Sequence, residues 1–334
     1  KRQGLAFIKN FLATALEPKR FPGIEVGIPT STVVTTQMFD AFVDRNGLHD
    51  IAFSDQSDDR IAHAFQKADL PVEMVDDLKA LIDRVRVPLA VRSSSLLEDA
   101  LYQPFAGVYA TKMIPNNHGD PNERLRRLVE AIKFVWASAF FHSAKNYIRA
   151  TDHVVESEKM AVILQEVVGN HHADRFYPNV SGVARTYNFY PVGRARPEES
   201  VVNLALGLGK TIVDGGVTWA YSPAHPKAPP PYGSVRDLLK LSQLDFWAIH
   251  MGQPLERNPI AETEFLVHAD LAQAESDGTL KELASTYVAA SDRLRMGIGS
   301  PGPRVLNFAP LLNLERIPFN ELIKELLSLC SDRF

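Results

Sequence analysis

One cysteine among 334 residues, Cys330, rules out an internal disulfide, and a reducing cytoplasm is the expectation that follows. Long apolar runs are missing as well. None approaches the roughly 18 residues that a membrane-spanning helix needs, so no membrane partner is expected. Charge of one sign is also lacking: the net value is −4, which offers nucleic acid no global attraction and leaves any anion site a local matter. No repeat period runs through the chain. At 45% hydrophobic and 23% charged residues the composition is that of a globular protein, and the length allows two or three domains.

An initiating methionine is absent too, which suggests a chain that starts inside a longer protein. "KRQGLAFIKNFLATAL" has its apolar residues at helical spacing, with Lys9 and Asn10 interrupting any signal-like run, so an amphipathic helix is expected there. A strand is expected around "TSTVVTT" and helices over 37–49, 58–68 and 75–85. "VPLAVRSS" and "GVYATKM" read as strands, and 121–149 as one long helix with Leu125, Leu128, Val129, Ile132 and Trp136 in its apolar stripe. "KMAVILQEVV" reads as a buried strand, followed by strands in "VSGVARTYN" and "ESVVNLALGLG". The proline-dense "AHPKAPPPYG" marks a linker. Beyond it come a helix in "SVRDLLKLSQLD", a strand in "ETEFLVHADLA", a hairpin in 279–296, a strand in "RVLNFA" and a closing helix in "FNELIKELLSLC". Mixed helices and strands without strict alternation favour α+β lobes over one doubly wound sheet.

Arg92, at the end of an apolar run and followed by Ser93, Ser94 and Ser95, admits two readings. A guanidinium fork beside hydroxyls at a strand end suits phosphate oxygens; an ion pair with Glu98 or Asp99 in a surface turn uses the same residues. "GLGKT" is not a phosphate-binding P-loop, because that motif needs glycine where Leu204 stands. Asp214-Gly215-Gly216 reads as a turn. His171, His172 and Asp174 lack a further ligand at metal spacing and read as a solvated loop. Trp136, Tyr147 and Phe140-Phe141 read as core, Arg124, Arg126 and Arg127 as a solvated helix face, and Cys330 as packing.

Taken in order, five blocks resemble one family. "AVRSSSLLEDALYQPFAGVYATKM", "VWASAFFHSAKNYIR", "MAVILQEVV", "SGVARTYN" and "LGLGKTIVDGGV" are similar to segments of the nucleotide-binding domain of phosphoenolpyruvate synthase and pyruvate phosphate dikinase. The resemblance covers about residues 1–223. It implies an ATP-grasp-like fold of two α+β lobes enclosing a nucleotide cleft, with additional C-terminal material. The expected division is 1–157 for an N-terminal lobe, 158–225 for second-lobe strands with an adenine hinge, and 226–334 for a linker and an inserted or incomplete end.

The same resemblance implies roles. Lys1 and Arg92 would contact the phosphates and act in catalysis, with Ser93 beside them. The turn from Phe105 through Gly107 to Thr111 would cover the phosphates, and Gln165, Glu166 and Val168 would form the adenine hinge. Mg-ATP would phosphorylate a histidine on a mobile domain for transfer to pyruvate, and neither that domain nor the pyruvate-binding domain lies in this chain. The alternative is a non-catalytic nucleotide-binding module that regulates a partner. Two departures bear on the choice. Lys210 stands where relatives carry an acidic residue, and no magnesium ligand can be named: Glu262 and Glu264 read either as candidates or as a solvated strand edge.

Overall fold

Strand β1 (Ser31–Val34) opens the described elements of the first sheet. Helices α1 (Thr36–Arg45), α2 (His49–Phe53), α3 (Asp58–Lys67) and α4 (Val72–Arg84) follow it. Strands β2 (Leu89–Ser94) and β3 (Thr111–Ile114) precede α5 (Pro121–Ala137) and α6 (His142–Arg149). Then come β4 (Ala161–Glu166) and the short strands β5 (Asn170–His172) and β6 (Arg175–Tyr177). The computed structural model describes residues 16, 20–95, 107–150, 159–228, 232, 234–253 and 256–331. The expected N-terminal helix through residue 15, Lys1, Glu98, Asp99, Phe105, Ala106 and the proline run 229–231 lie outside the described residues.

Two units divide the chain. One contains Pro29–Phe176 and Ile249–Val267; the other contains Tyr177–Ala248 with the described parts of 6–28 and 268–334. In the first, a four-stranded antiparallel sheet has the order β1-β4-β2-β3. Its apolar face, carrying Val34, Leu89, Val91, Ile114, Val162 and Leu164, joins Leu128, Ile132 and Trp136 of α5 in one core. Phe42 packs against Trp136 in a tilted pair with ring centroids 4.9 Å apart, so the aromatic residues serve the core as the sequence implied.

The expected helix over 121–149 is broken. Asp120 accepts a hydrogen bond from the Asn122 N–H (2.9 Å) and Pro121 occupies the first turn, so α5 starts with its free N–H groups served. It ends in a 3₁₀ turn at Ser138–Phe140, and Phe141 is extended (φ −71°, ψ 158°). The Asp58 carboxylate then accepts from the His142 N–H at 2.8 Å and starts α6 afresh. A cap supplied by a residue 84 positions away is invisible to local periodicity. The strand expected across 107–113 shrinks to Thr111–Ile114 because Gly107 turns the chain at φ +83°.

The basic face of α5 is also not solvated as expected. Arg124 is wholly buried and donates to the carbonyl oxygens of Ile82 (2.7 Å) and Val85 (3.3 Å) at the end of α4. A cation there meets the negative end of the helix dipole and its unpaired carbonyls. Arg127 is 5% exposed and pairs with Glu123. His171 and His172 form a strand, not a solvated loop: β5 adjoins β6 through Ala173-Asp174, with Ala173 at φ +51° and His171 edge-on to Phe176.

The second unit holds β7 (Ser181–Arg185), β8 (Val201–Ala205), α7 (Lys210–Val213), β9 (Trp219–Tyr221) and α8 (Val235–Leu241). After them in sequence come β10 (Asp245–His250) and β11 (Leu266–Asp270), whose residues are divided between the two units. Helix α9 (Leu271–Ser276), strands β12 (Ala284–Val288), β13 (Arg293–Met296) and β14 (Arg304–Leu306), and helices α10 (Ala309–Asn313) and α11 (Phe319–Ser331) complete it. The sheets have orders β7-β8-β9 and β13-β12-β14, and the hairpin expected over 279–296 is present as β12–β13. The helix expected through Asp245 stops at Leu241, and strand β10 starts at Asp245. There the Gln243 side chain takes over, accepting from the Leu206 N–H at 2.8 Å and donating to the Leu206 and Asp245 carbonyls.

Two further expectations are corrected. The strand expected from Glu262 begins only at Leu266, and it ends at Asp270, which caps α9 in a reciprocal pair with Gln273. Glu264 is consequently not at a solvated strand edge: its side chain is 2% exposed. Cys330 is an exposed free thiol, because its position on α11 lies off the stripe that buries Leu322 and Leu327. Among the described residues no helix is long and apolar enough to cross a membrane.

Candidate nucleotide site

Side chains alternate across a strand, so register decides which residues of the first sheet share a face. Arg92 of β2 lies opposite Thr111 of β3 and Ile163 of β4, and Ala90 lies opposite Gln165. Arg92, Ser94, Thr111, Met113, Ile163 and Gln165 therefore share the face turned away from α5. Ile163 and Ala90 are buried there yet belong to no part of the helix-covered core. Arg92 is exposed, while Thr111, Gln165 and Ser94 are half-buried.

The Arg92 guanidinium donates to the Gln165 Oε1 at 3.2 Å. Among the described residues it pairs with no carboxylate. A neutral amide oxygen fixes the fork without cancelling its charge, which leaves donors for an anion. Ser93 points the other way and is 5% exposed; Ser94 shares the Arg92 face. Strict alternation along "LAVRSS" carries that signal, whereas proximity in sequence favoured Ser93.

The remaining candidates occupy separate positions. Gly107 sits in a turn at φ +83°, and a side chain there would meet nothing within 4 Å. At the end of β4, the Glu166 N–H donates to the Thr30 carbonyl (3.0 Å) and the Val167 N–H to the Pro88 carbonyl (2.9 Å). The Glu166 side chain falls on the same side as Leu89, its partner on β2, away from Arg92. Val168 is 65% exposed and is the first residue past β4 whose N–H has no backbone acceptor among the described residues. Lys1 lies outside the described residues, so only Arg92, Thr111 and Gln165 are brought together.

Opposite the open face, Lys112 of β3 enters a wholly different setting. It is fully buried, 2.7 Å from the Glu264 carboxylate, and it donates to the Pro259 carbonyl at 2.7 Å. Glu264 accepts from the Asn258 N–H at 3.1 Å, and the ammonium lies 5.2 Å from the Phe134 ring centroid. Burial pushes the Lys112 pKa down, while Glu264 and then Glu130 and Glu262 act to hold it up. On α5, Arg126 and then Arg127 overcome partial desolvation and hold the Glu123 carboxyl at about 2. Residues 257–265 of the same unit are thus fastened to β3 and α5, with Arg127 over the Phe265 ring and Arg257 paired to Glu130.

In the second unit, the "GLGK" turn is a packing device. Gly207 has φ +81°, and a Cβ there would come within 2.6 Å of the Phe246 ring and 2.7 Å of the Trp247 carbonyl oxygen. The Leu208 N–H donates to that same oxygen at 2.9 Å. Gly207→Ala is therefore expected to cost about 1–3 kcal/mol through overpacking against β10, with added left-handed strain. A thermal melt unchanged within a degree would show that β10 yields instead. Lys210 pairs with Asp214 at 3.0 Å and lies over the Trp247 ring. Its side chain is 13% exposed.

The family model described as pyruvate phosphate dikinase, AMP/ATP-binding domain, matches residues 13–228, more than half of the chain. The chain belongs to this family. It therefore carries an AMP/ATP-binding domain of the ATP-grasp type, and the α+β architecture with antiparallel sheets agrees with that. The pyruvate phosphate dikinase match spans β2, β3, β4, β7 and β8, so the open face with Arg92 lies within it; Lys1 precedes it. No curated protein matches the chain. A nucleotide fits the residues present, since Arg92 is exposed and pairs with no carboxylate among the described residues. For magnesium, the described residues contain no group of three or more His, Cys, Asp or Glu able to hold a metal ion, and no residue is assigned to it.

Proposed function

We propose that this chain is the ATP-binding part of a phosphotransferase of the phosphoenolpyruvate synthase type. In this reading Mg-ATP phosphorylates a histidine on a separate mobile domain, from which the phosphoryl group passes to pyruvate. The observation that supports it is the face of β2, β3 and β4 turned away from α5, where Arg92 is exposed. There a guanidinium oriented by Gln165 stands beside the Thr111 hydroxyl with no described carboxylate to cancel it.

The roles follow from chemistry at named atoms. Arg92 would hold phosphate oxygens in its planar fork and stabilise the charge that builds during transfer. Lys1 would add a second cation. Thr111 and the backbone after Gly107 would close over the phosphates, glycine permitting close approach. The Val168 N–H, free of a described backbone acceptor, would donate to the adenine edge, with the Gln165 side of β4 forming the wall of that slot and Glu166 contributing backbone only. Phosphoryl transfer draws most of its catalysis from positioning and electrostatics, which these groups supply.

The test uses ATP carrying a labelled phosphoryl group and the full-length protein. Acid-labile, base-stable label on the protein, as phosphohistidine gives, supports the reading. Binding of ATP without any transfer would support a non-catalytic regulatory module instead. Absence of a thermal shift with ATP would reject both, because ligand at 100 times its dissociation constant stabilises by about 2.7 kcal/mol.

A further inference from the structure

The second unit contains a cavity of about 610 Å³ that the nucleotide reading does not use. Its floor is the open side of β8 and β9 at Val201 and Ala220. The loop 188–195 forms one wall and the segment 222–228 the other. Every lining residue belongs to the second unit, whereas Arg92, Thr111 and Gln165 belong to the first.

The lysine and arginine side chains of this cavity face no acidic group in its lining. No aspartate or glutamate lines it, while Arg194, His225 and Lys227 do. His225 is paired with Glu199 at 3.3 Å and Lys227 with Glu315 at 2.9 Å. Arg194 is exposed and makes no hydrogen bond or ion pair among the described residues. Arg194 is thus the lining cation without a described partner, in a hollow whose exposed wall is mostly apolar. Apolar surface around it is uncovered: Tyr190 is 87% exposed and Val192 50%.

A cavity of this size with mostly apolar walls and a few polar groups, one of them an unpartnered cation among the described residues, has the make-up of a small-molecule site. We propose that it binds a small amphipathic anion: a flat apolar body against Val192, Val201, Ala220 and the Tyr190 ring, with its carboxylate or phosphate on Arg194. The apolar walls supply burial, and the guanidinium fork selects a planar or tetrahedral oxyanion. This site is additional to the nucleotide site and holds whether or not that reading stands.

Phenylacetate and phenyl phosphate serve as probes, with phenylacetamide as the neutral counterpart, in titrations of the full chain with and without saturating ATP. At least one anionic probe is expected to bind, and to keep its affinity in the presence of ATP and in Arg92→Ala. Arg194→Gln should weaken it about tenfold or more, the size expected for a lost charge-assisted bond. Ala220→Phe should abolish it by filling the floor. Arg194 is exposed, so its replacement leaves the fold intact even if Ala220→Phe does not. Binding displaced by ATP, equal binding of phenylacetamide, indifference to Arg194→Gln, or no binding by either anion would each overturn the proposal.

Discussion

Arg92→Ala is expected to slow phosphoryl transfer from ATP by about 10²–10³-fold, or about 2.7–4 kcal/mol, the range for removing one preorganised donor to transition-state charge. The fold should be unaffected, because Arg92 is exposed and its one described partner is a Gln165 amide oxygen at 3.2 Å. Single-turnover transfer and a thermal melt, read together, separate the two possibilities. A near wild-type rate would remove Arg92 from the chemistry. A rate loss accompanied by a large fall in melting temperature would make it structural. Arg92→Lys should recover only part of the rate, since an ammonium keeps the charge and loses the fork.

The second large effect concerns stability. Glu264→Ala leaves the Lys112 ammonium buried beneath Phe134 with only carbonyl acceptors. Breaking a buried pair by removing one partner costs about 3–5 kcal/mol. Chemical denaturation should show that loss. Lys112→Met combined with Glu264→Leu should restore most of it, because replacing both ions by apolar groups removes the uncompensated charge. If the single and double variants are equally destabilised, packing of the 251–265 segment, not charge, explains the loss.

These two residues also show what the sequence disclosed. Strands β1, β2, β4, β7 and β8 were legible from short β-branched runs, and α3, α4 and α11 from helical spacing. What local pattern could not carry was partnership across the chain. Lys112 and Glu264 are 152 positions apart by number, and nothing near either one announces a buried pair. Asp58 restarts a helix at His142 for the same reason, and Arg124 is buried because it serves the carbonyls at the end of α4. The candidate site divides in the same way. Arg92 was conspicuous as a cation at a strand end, but grouping it with Thr111 and Gln165, and with Ser94 in preference to Ser93, required the register of three strands.

The central claim is that this open sheet face receives the phosphates of a nucleotide, and a paired titration tests it most directly. ATP and adenosine are titrated into the wild-type chain and into Arg92→Ala under one ionic strength. The account predicts that adenosine affinity is retained while the preference for ATP over adenosine falls by at least about tenfold, the size of a lost charge-assisted contact. An unchanged preference would contradict it.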